Sequence, residues 1–434
     1  MPRTRLALGL FFLLASLAEA HPGAARSEWS IGAEAIGVAS ALTPTTSTLN
    51  PSNRVFETPW AESFLDLRAD FWWSRSSFKV VARPRWTGTW TKANLDSLAP
   101  NFASEEKVKS EGKADLTDLY VEWQALPSLQ VTAGLFVDGW GPAEYVNPSN
   151  PFFHLNSKSK SFFFKEKGRV LIKGVWTPTA DLSVSVLAEP VSNNEPPFRQ
   201  DQEFSPMGMV RGEWQNSGGS ILAGLLAGQE SDAAPFVGEY LQLRSDASGF
   251  SIYGETRHSF EAKKFELVNN GGFEELTEKR RRSKVDTFST LGLRWEGRVD
   301  ARLEWIHYDL GYSEAEWTRL KTAITQLSPF LEQNLKRFSR PGLEFLTQNW
   351  WSFSLRFPDL GPQSDWQWIS RVLVATGDSA GGEMRSGLFL STLEIPIFDA
   401  GTLYAEIQSN FGTKDTELLL ATEGAYSIGA RWAW

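Results

Sequence analysis

Along most of this chain apolar residues recur at every second position. Leu65, Leu67, Ala69, Phe71 and Trp73 alternate with Phe64, Asp66, Arg68, Asp70 and Trp72. Phe78, Val80, Ala82, Pro84, Trp86 and Trp90 interleave with Lys79, Arg83, Arg85, Thr87 and Thr89. Trp351, Phe353, Leu355 and Phe357 enclose Ser352, Ser354 and Arg356. The last stretch sets Tyr426, Ile428, Ala430, Trp432 and Trp434 against Ala425, Ser427, Gly429, Arg431 and Ala433. A period of two is the spacing of a strand whose two faces meet different surroundings. Such stretches from Trp29 to Trp434 predict about 18 strands, with 16 the alternative count. Pro84 removes a ladder hydrogen bond, so a bulge is expected there.

The connections alternate in length. Ser74-Arg75, Gly297-Arg298 and Asp399-Ala400 are short and carry turn residues. Between them fall long ones: Thr91 to Lys113, Gly139 to Glu166, Glu261 to Lys284 and Asp309 to Leu346. Asp359 to Asp365 is the least short of the short set. Strict alternation puts all long loops at one end of a closed antiparallel sheet. The expected fold class is therefore all-β: a transmembrane antiparallel β-barrel with short periplasmic turns and long extracellular loops. Its outward aromatic face would lie in lipid, with Trp432 and Trp434 as membrane anchors. An edge strand of a soluble β-domain is the competing reading of the last stretch alone.

Composition agrees with a barrel. Mean hydropathy is -0.28, yet aromatics reach 13% with Trp 19. Apolar outward and polar inward positions cancel in such an average. Beyond the N-terminus there is no apolar run of about 18 residues, the length a spanning helix needs. With Cys 0, closure of the sheet rather than disulfides must supply stability. A net charge of -9 argues against nucleic acid as a partner. Arg3 and Arg5, the apolar Leu6 to Leu17 and the small residues around Ala18 to Ala20 form an export signal. Residues 1–20 are thus expected to be removed and residues 21–434 to form the barrel. Too little chain precedes the second strand for a folded plug.

The most distinctive local segment follows Asp138: Gly139-Trp140-Gly141-Pro142, then Asn147-Pro148-Ser149-Asn150-Pro151, up to His154. Its prolines stiffen the loop and forbid helix. It either folds into the lumen as a constriction, through Trp140, Asn147, Asn150 and His154, or caps the rim. Trp-Gly followed by Asn-Pro after a Gly-containing strand resembles the equivalent segment of Gram-negative outer-membrane barrels of the porin and alginate-export type. The aromatic last residue resembles the closing strand of such barrels, where the outer-membrane assembly machinery reads it. The resemblance implies an outer-membrane location, contact with lipid and lipopolysaccharide, and passage of a polar solute. The basic run Lys279 to Lys284 could pair with lipopolysaccharide phosphates or be a solvated loop.

The inward faces place Arg68, Asp70, Lys79, Arg83, Arg85, Glu122, Glu255, Arg257, Arg302, Glu304, Arg356 and Glu406 along the lumen. Charged rings select among solutes in water-filled pores. The basic character of the second and third strands would favour anions. Side chains paired with one another for stability are the alternative, but about 18 strands enclose too wide a space to fill that way. Ser313 to Phe338 reads as helix, with Trp317, Leu320, Ile324 and Leu327 on one face, set as cap or gate. No HExxH, GxSxG, phosphate-loop or calcium-loop pattern occurs, so neither enzyme nor cofactor is expected. His258 beside Ser259, or His307 near a strand end, are where a Ser–His pair would form. The function expected is passive passage of small or oligomeric polar solutes. A barrel that binds, exports or assembles surface polysaccharide through its loops is the alternative.

Overall fold

The computed structural model describes residues 27–47, 50–54, 56–95, 104–152, 168–190, 206–231, 233–270, 273–281, 284–325, 347–363, 365–376 and 386–434. The first strands are β1 (Glu28–Pro44), β2 (Ala61–Arg75), β3 (Phe78–Leu95), β4 (Glu105–Leu126) and β5 (Leu129–Phe136). Then come β6 (Arg169–Thr179), β7 (Leu182–Glu189), β8 (Met207–Gln215), β9 (Ile221–Glu230), β10 (Pro235–Ser245) and β11 (Phe250–Ser259). A hairpin of β12 (Ala262–Asn270) and β13 (Phe273–Arg281) precedes β14 (Asp286–Glu296) and β15 (Asp300–Tyr308). Helix α1 (Glu314–Thr325) follows. The chain ends with β16 (Asn349–Leu360), β17 (Trp366–Ala375), β18 (Ser386–Ile397), β19 (Gly401–Gly412) and β20 (Thr422–Ala433).

One antiparallel sheet contains 18 of these strands, and β12 with β13 forms a separate two-stranded sheet. Each barrel strand pairs with its neighbour along the chain, β11 passing over the hairpin to β14. The last strand returns to the first. Ala39 of β1 faces Ser63 of β2 on one side and Ile428 of β20 on the other. Ser40 Oγ and Ser427 Oγ meet across that seam at 2.8 Å. Closure leaves no unpaired edge, which a sheet in hydrocarbon requires because each unsatisfied backbone group there costs several kcal/mol.

The period of two sorts the side chains as expected. Leu225, Ile428 and Trp434 stand on the outer face at 70%, 66% and 69% exposure, while Asp66 on the inner face is fully covered. The register shifts at Pro84: Arg83 faces Asp118, but Pro84 faces Leu116. Thr117 is the extra residue, and its hydroxyl donates to the Arg83 carbonyl at 3.2 Å. No described helix is long and apolar enough to cross a membrane.

Two expectations need correction. The segment Glu261 to Lys284 is not plain loop, since β12 and β13 pair from Ala262–Arg281 to Asn270–Phe273. Charge at Lys263, Lys264, Glu266, Glu275 and Lys279 interrupts the alternation, so no long apolar face marks these strands in the sequence. β3 and β4 also run on, to Leu95 and from Glu105: residues 105–112 are exposed on both faces, while Ala93 and Leu95 are covered, so neither extension shows the lipid-facing alternation. Residues 1–20, His154, Arg282, Ser283 and the helical expectation beyond Thr325 lie outside the described residues.

Candidate functional site

The segment after β5 turns into the barrel and crosses it. Trp140 and Phe152 sit in an apolar cluster with Leu171, Leu187, Met209, Leu226, Phe236 and Tyr240 of the β6–β10 wall. Tyr145 and Val146 sit in a second cluster with Ile306, Trp350, Leu373 and Leu388 of the β15–β18 wall. The loop therefore spans from one side of the lumen to another. Its stiffness is built locally. Asn150 Nδ2 donates to the Asp138 carbonyl at 2.9 Å, and Asn147 Nδ2 to the Ala143 carbonyl at 2.9 Å. Gly141 takes φ +85, where a side chain is strained, and an added Cβ would meet Glu255 Oε1 at 2.4 Å.

Two wall carboxylates hold the loop by its backbone. Glu255 Oε1 accepts from the Ala143 N–H at 2.7 Å, and Oε2 from the Ser149 hydroxyl at 2.8 Å. Glu304 accepts from the Glu144 N–H at 2.7 Å, the Tyr145 N–H at 3.0 Å and the Tyr253 hydroxyl at 2.9 Å. Hydrogen bonds to a charged acceptor are worth about 1.5–3 kcal/mol each where water is excluded. At the far end Arg169, paired to Glu189, donates to the Phe152 carbonyl at 3.0 Å. Lys173 pairs with Asp138 at 2.5 Å, and the Arg211 guanidinium lies 4.6 Å over the Trp140 ring.

Of the inward residues expected from the sequence, Glu255 and Glu304 do not face water: they are 1% and 2% exposed, turned onto the loop. Glu406 is also buried, accepting from the Thr392 hydroxyl at 3.1 Å. The inward loop takes the place of solvent at Glu255 and Glu304, which period-two counting cannot see. Most of the rest form opposite-charge pairs. Arg68 pairs with Glu34 and Asp66, Arg85 with Asp66, Arg83 with Asp70 and Asp118, and Lys79 with Glu122. The basic character read from β2 and β3 is thus balanced by carboxylates on β1, β2 and β4. Arg356 bonds Gln367 at the short-turn end, and Arg257 lies 5.9 Å from the Phe288 ring centre. Trp140, Asn147 and Asn150 are together in the loop, while Trp432 and Trp434 stand outside at the seam.

Sequence reading missed Glu144, whose carboxylate meets Arg302 Nε at 3.0 Å, Arg371 at 3.4 Å and the Ser354 hydroxyl at 3.1 Å. Arg371 was legible as an inward position of β17; its loop partner was not. The two described histidines pair on the outer side of the sheet: His258 with Glu239 and Thr287, His307 with Asn349 and Asp309. Neither contacts a serine in those bonds. Among the described residues no group of three or more His, Asp or Glu could hold a metal ion.

No family model matches the chain, and no curated protein matches it. Solved structures do. The chain superposes on Pseudomonas aeruginosa OccK7 (OpdD) with TM-score 0.56 at 8% identity, covering 94% of this chain and 99% of that one. For Pseudomonas aeruginosa OpdK with vanillate the TM-score is 0.53 at 9% identity, covering 93% and 98%. For Pseudomonas aeruginosa OccK5 (OpdH) it is 0.52 at 7% identity, covering 94% and 98%. The likeness is one of fold: the closed 18-strand barrel of Gram-negative outer-membrane porins.

Proposed function

We propose that this protein is an outer-membrane channel through which small polar solutes diffuse without chemical change. The observation that carries this is the inward loop, bonded by its own backbone to Glu255 and Glu304 across a barrel too wide to fill. A loop fixed in this way narrows a water path rather than closing a core. The exposed apolar outer face supports a lipid setting, with Trp432 and Trp434 as interfacial anchors. The Arg68–Arg85–Asp66 and Arg83–Asp70–Asp118 ladders supply paired fixed charges for a polar solute to exchange against. The similar OpdK, solved with vanillate, supports a small organic solute rather than a polymer. Residues 1–20 serve as the export signal, and the last strand is what the assembly machinery engages. No cofactor or catalytic group enters the reading.

Planar-bilayer recording tests it. Purified protein is expected to give discrete, ohmic single-channel steps and to admit small polar solutes into proteoliposomes. Folded protein that carries no current and swells no vesicle would remove the channel reading and leave the binding barrel.

A further inference from the structure

We propose that Arg211, Ser185 and Trp140 form a buried site for a small inorganic anion, such as chloride, between the inward loop and the β6–β10 wall. The proposal goes beyond the channel reading and holds whether or not the barrel conducts. Arg211 is a wall residue of β8 and is 7% exposed. Its Nε and Nη1 are covered and meet no acceptor, and among the described residues no carboxylate lies within ion-pair distance of it. Ser185 faces it across the β7–β8 ladder, is 1% exposed, and its hydroxyl has no partner. Trp140, in the loop, is 8% exposed, lies 4.6 Å from the guanidinium, and has its Nε1 covered without an acceptor. Two strands and the loop thus bring covered donors together around one cation.

A guanidinium keeps its charge at physiological pH, and out of water it needs an opposite charge that accepts its N–H groups. The Trp140 ring attracts the cation but offers those N–H groups no lone pair. The carboxylates of this wall are committed elsewhere. Glu213, two residues along the same face of β8, accepts from the Tyr240 hydroxyl, Glu255 accepts from the loop backbone, and Glu189 pairs with Arg169. A monovalent anion supplies what these groups lack: one negative charge, and an acceptor open to N–H and O–H donors from several directions. Donors this well covered are out of reach of a passing solute, so the occupant is a resident ion and not the cargo. Seated there, it ties β8 to Trp140 and adds a hold on the loop beside those of Glu255 and Glu304.

Crystals of the wild-type protein soaked in sodium bromide are expected to show anomalous density within hydrogen-bond distance of the Arg211 guanidinium. In solution, hydrogen exchange of residues 139–152 is compared in sodium chloride and in sodium gluconate, whose anion is too bulky for a covered site, at equal ionic strength. Exchange is expected to be about tenfold slower once chloride reaches about ten times its dissociation constant. Arg211→Met keeps the bulk of the side chain without its charge, and should lose both the bromide density and the difference between the two salts. The sign of its effect should also depend on the salt. In gluconate the variant should exchange more slowly than the wild type, because no charge is left buried without a partner, and in chloride more quickly. Wild-type crystals without bromide at Arg211, together with equal exchange in the two salts, would overturn the proposal even if Arg211→Met fails to assemble. Bromide density without any difference between the salts would also count against it, as binding at crystal concentration only.

Discussion

At the residue scale, single carboxylates hold the inward loop to the barrel wall. Glu255 is 1% exposed and takes the Ala143 N–H, the Ser149 hydroxyl and the Asn147 amide. Glu255→Ala is expected to cost the loop about 3 kcal/mol or more of anchoring. The measurements are single-channel conductance, which should rise and become noisier, and hydrogen exchange of residues 139–152, which should accelerate. Glu255→Gln still accepts from Ala143 and should stay near the wild type. Gly141→Ala should resemble Glu255→Ala, because positive φ and the 2.4 Å approach to Glu255 both resist a methyl group. If Glu255→Ala conducts as the wild type does, the loop is held by its apolar ends alone.

At the scale of elements, the outer cap is built on α1. Ser313 and Glu316 cap its start reciprocally: the Ser313 N–H donates to Glu316 Oε2 at 2.8 Å and the Glu316 N–H to Ser313 Oγ at 3.2 Å. Lys264 of the β12–β13 hairpin, itself 4% exposed, donates to both Glu316 oxygens at 3.0 Å. On the other side Trp317 Nε1 donates to the Asp415 carbonyl at 2.8 Å. The cap is thus tied to two separate loops. Burial would push the Glu316 carboxyl up, but the Ser313 N–H and Lys264 outweigh it and hold the carboxyl below its ordinary range. A depressed folded pKa contributes stability that is complete above the unfolded value and is lost as pH falls through the folded one. Hydrogen exchange of α1, corrected for intrinsic rates, is therefore expected to speed up in acid below the ordinary glutamate range. In Glu316→Gln it should be faster at neutral pH and flat across that window. The predicted helix was legible here from Trp317 and Leu320, both 1% exposed. Its docking was not, because Lys264 and Asp415 lie far away in sequence and carry no periodic signal.

At the scale of the whole molecule, stability rests on closure. β20 pairs with β19 on one side and β1 on the other. Deleting residues 422–434 would expose the ladder edges of both neighbours to hydrocarbon, at several kcal/mol per unsatisfied group. Such a chain is expected to lose the heat-dependent gel mobility of a folded barrel altogether, whereas Trp434→Ala keeps the ladder and should retain it. A truncated chain that still migrates as a folded barrel would show that the seam is dispensable.

The alternation of apolar and polar residues determined the strand class, a count of about 18 that pairing in the sheet settles at 18 over 16, the bulge at Pro84 and the side of the sheet that most side chains take. These follow from a local rule, since neighbouring residues in an extended chain must point opposite ways. Only the tertiary structure decided which inward groups meet water. Ala143 reaches Glu255 across 112 positions and Tyr145 reaches Glu304 across 159. Where a stiff loop lands depends on the curvature of the closed sheet and on the packing at its two ends. Neither leaves a mark on the spacing of residues along the chain.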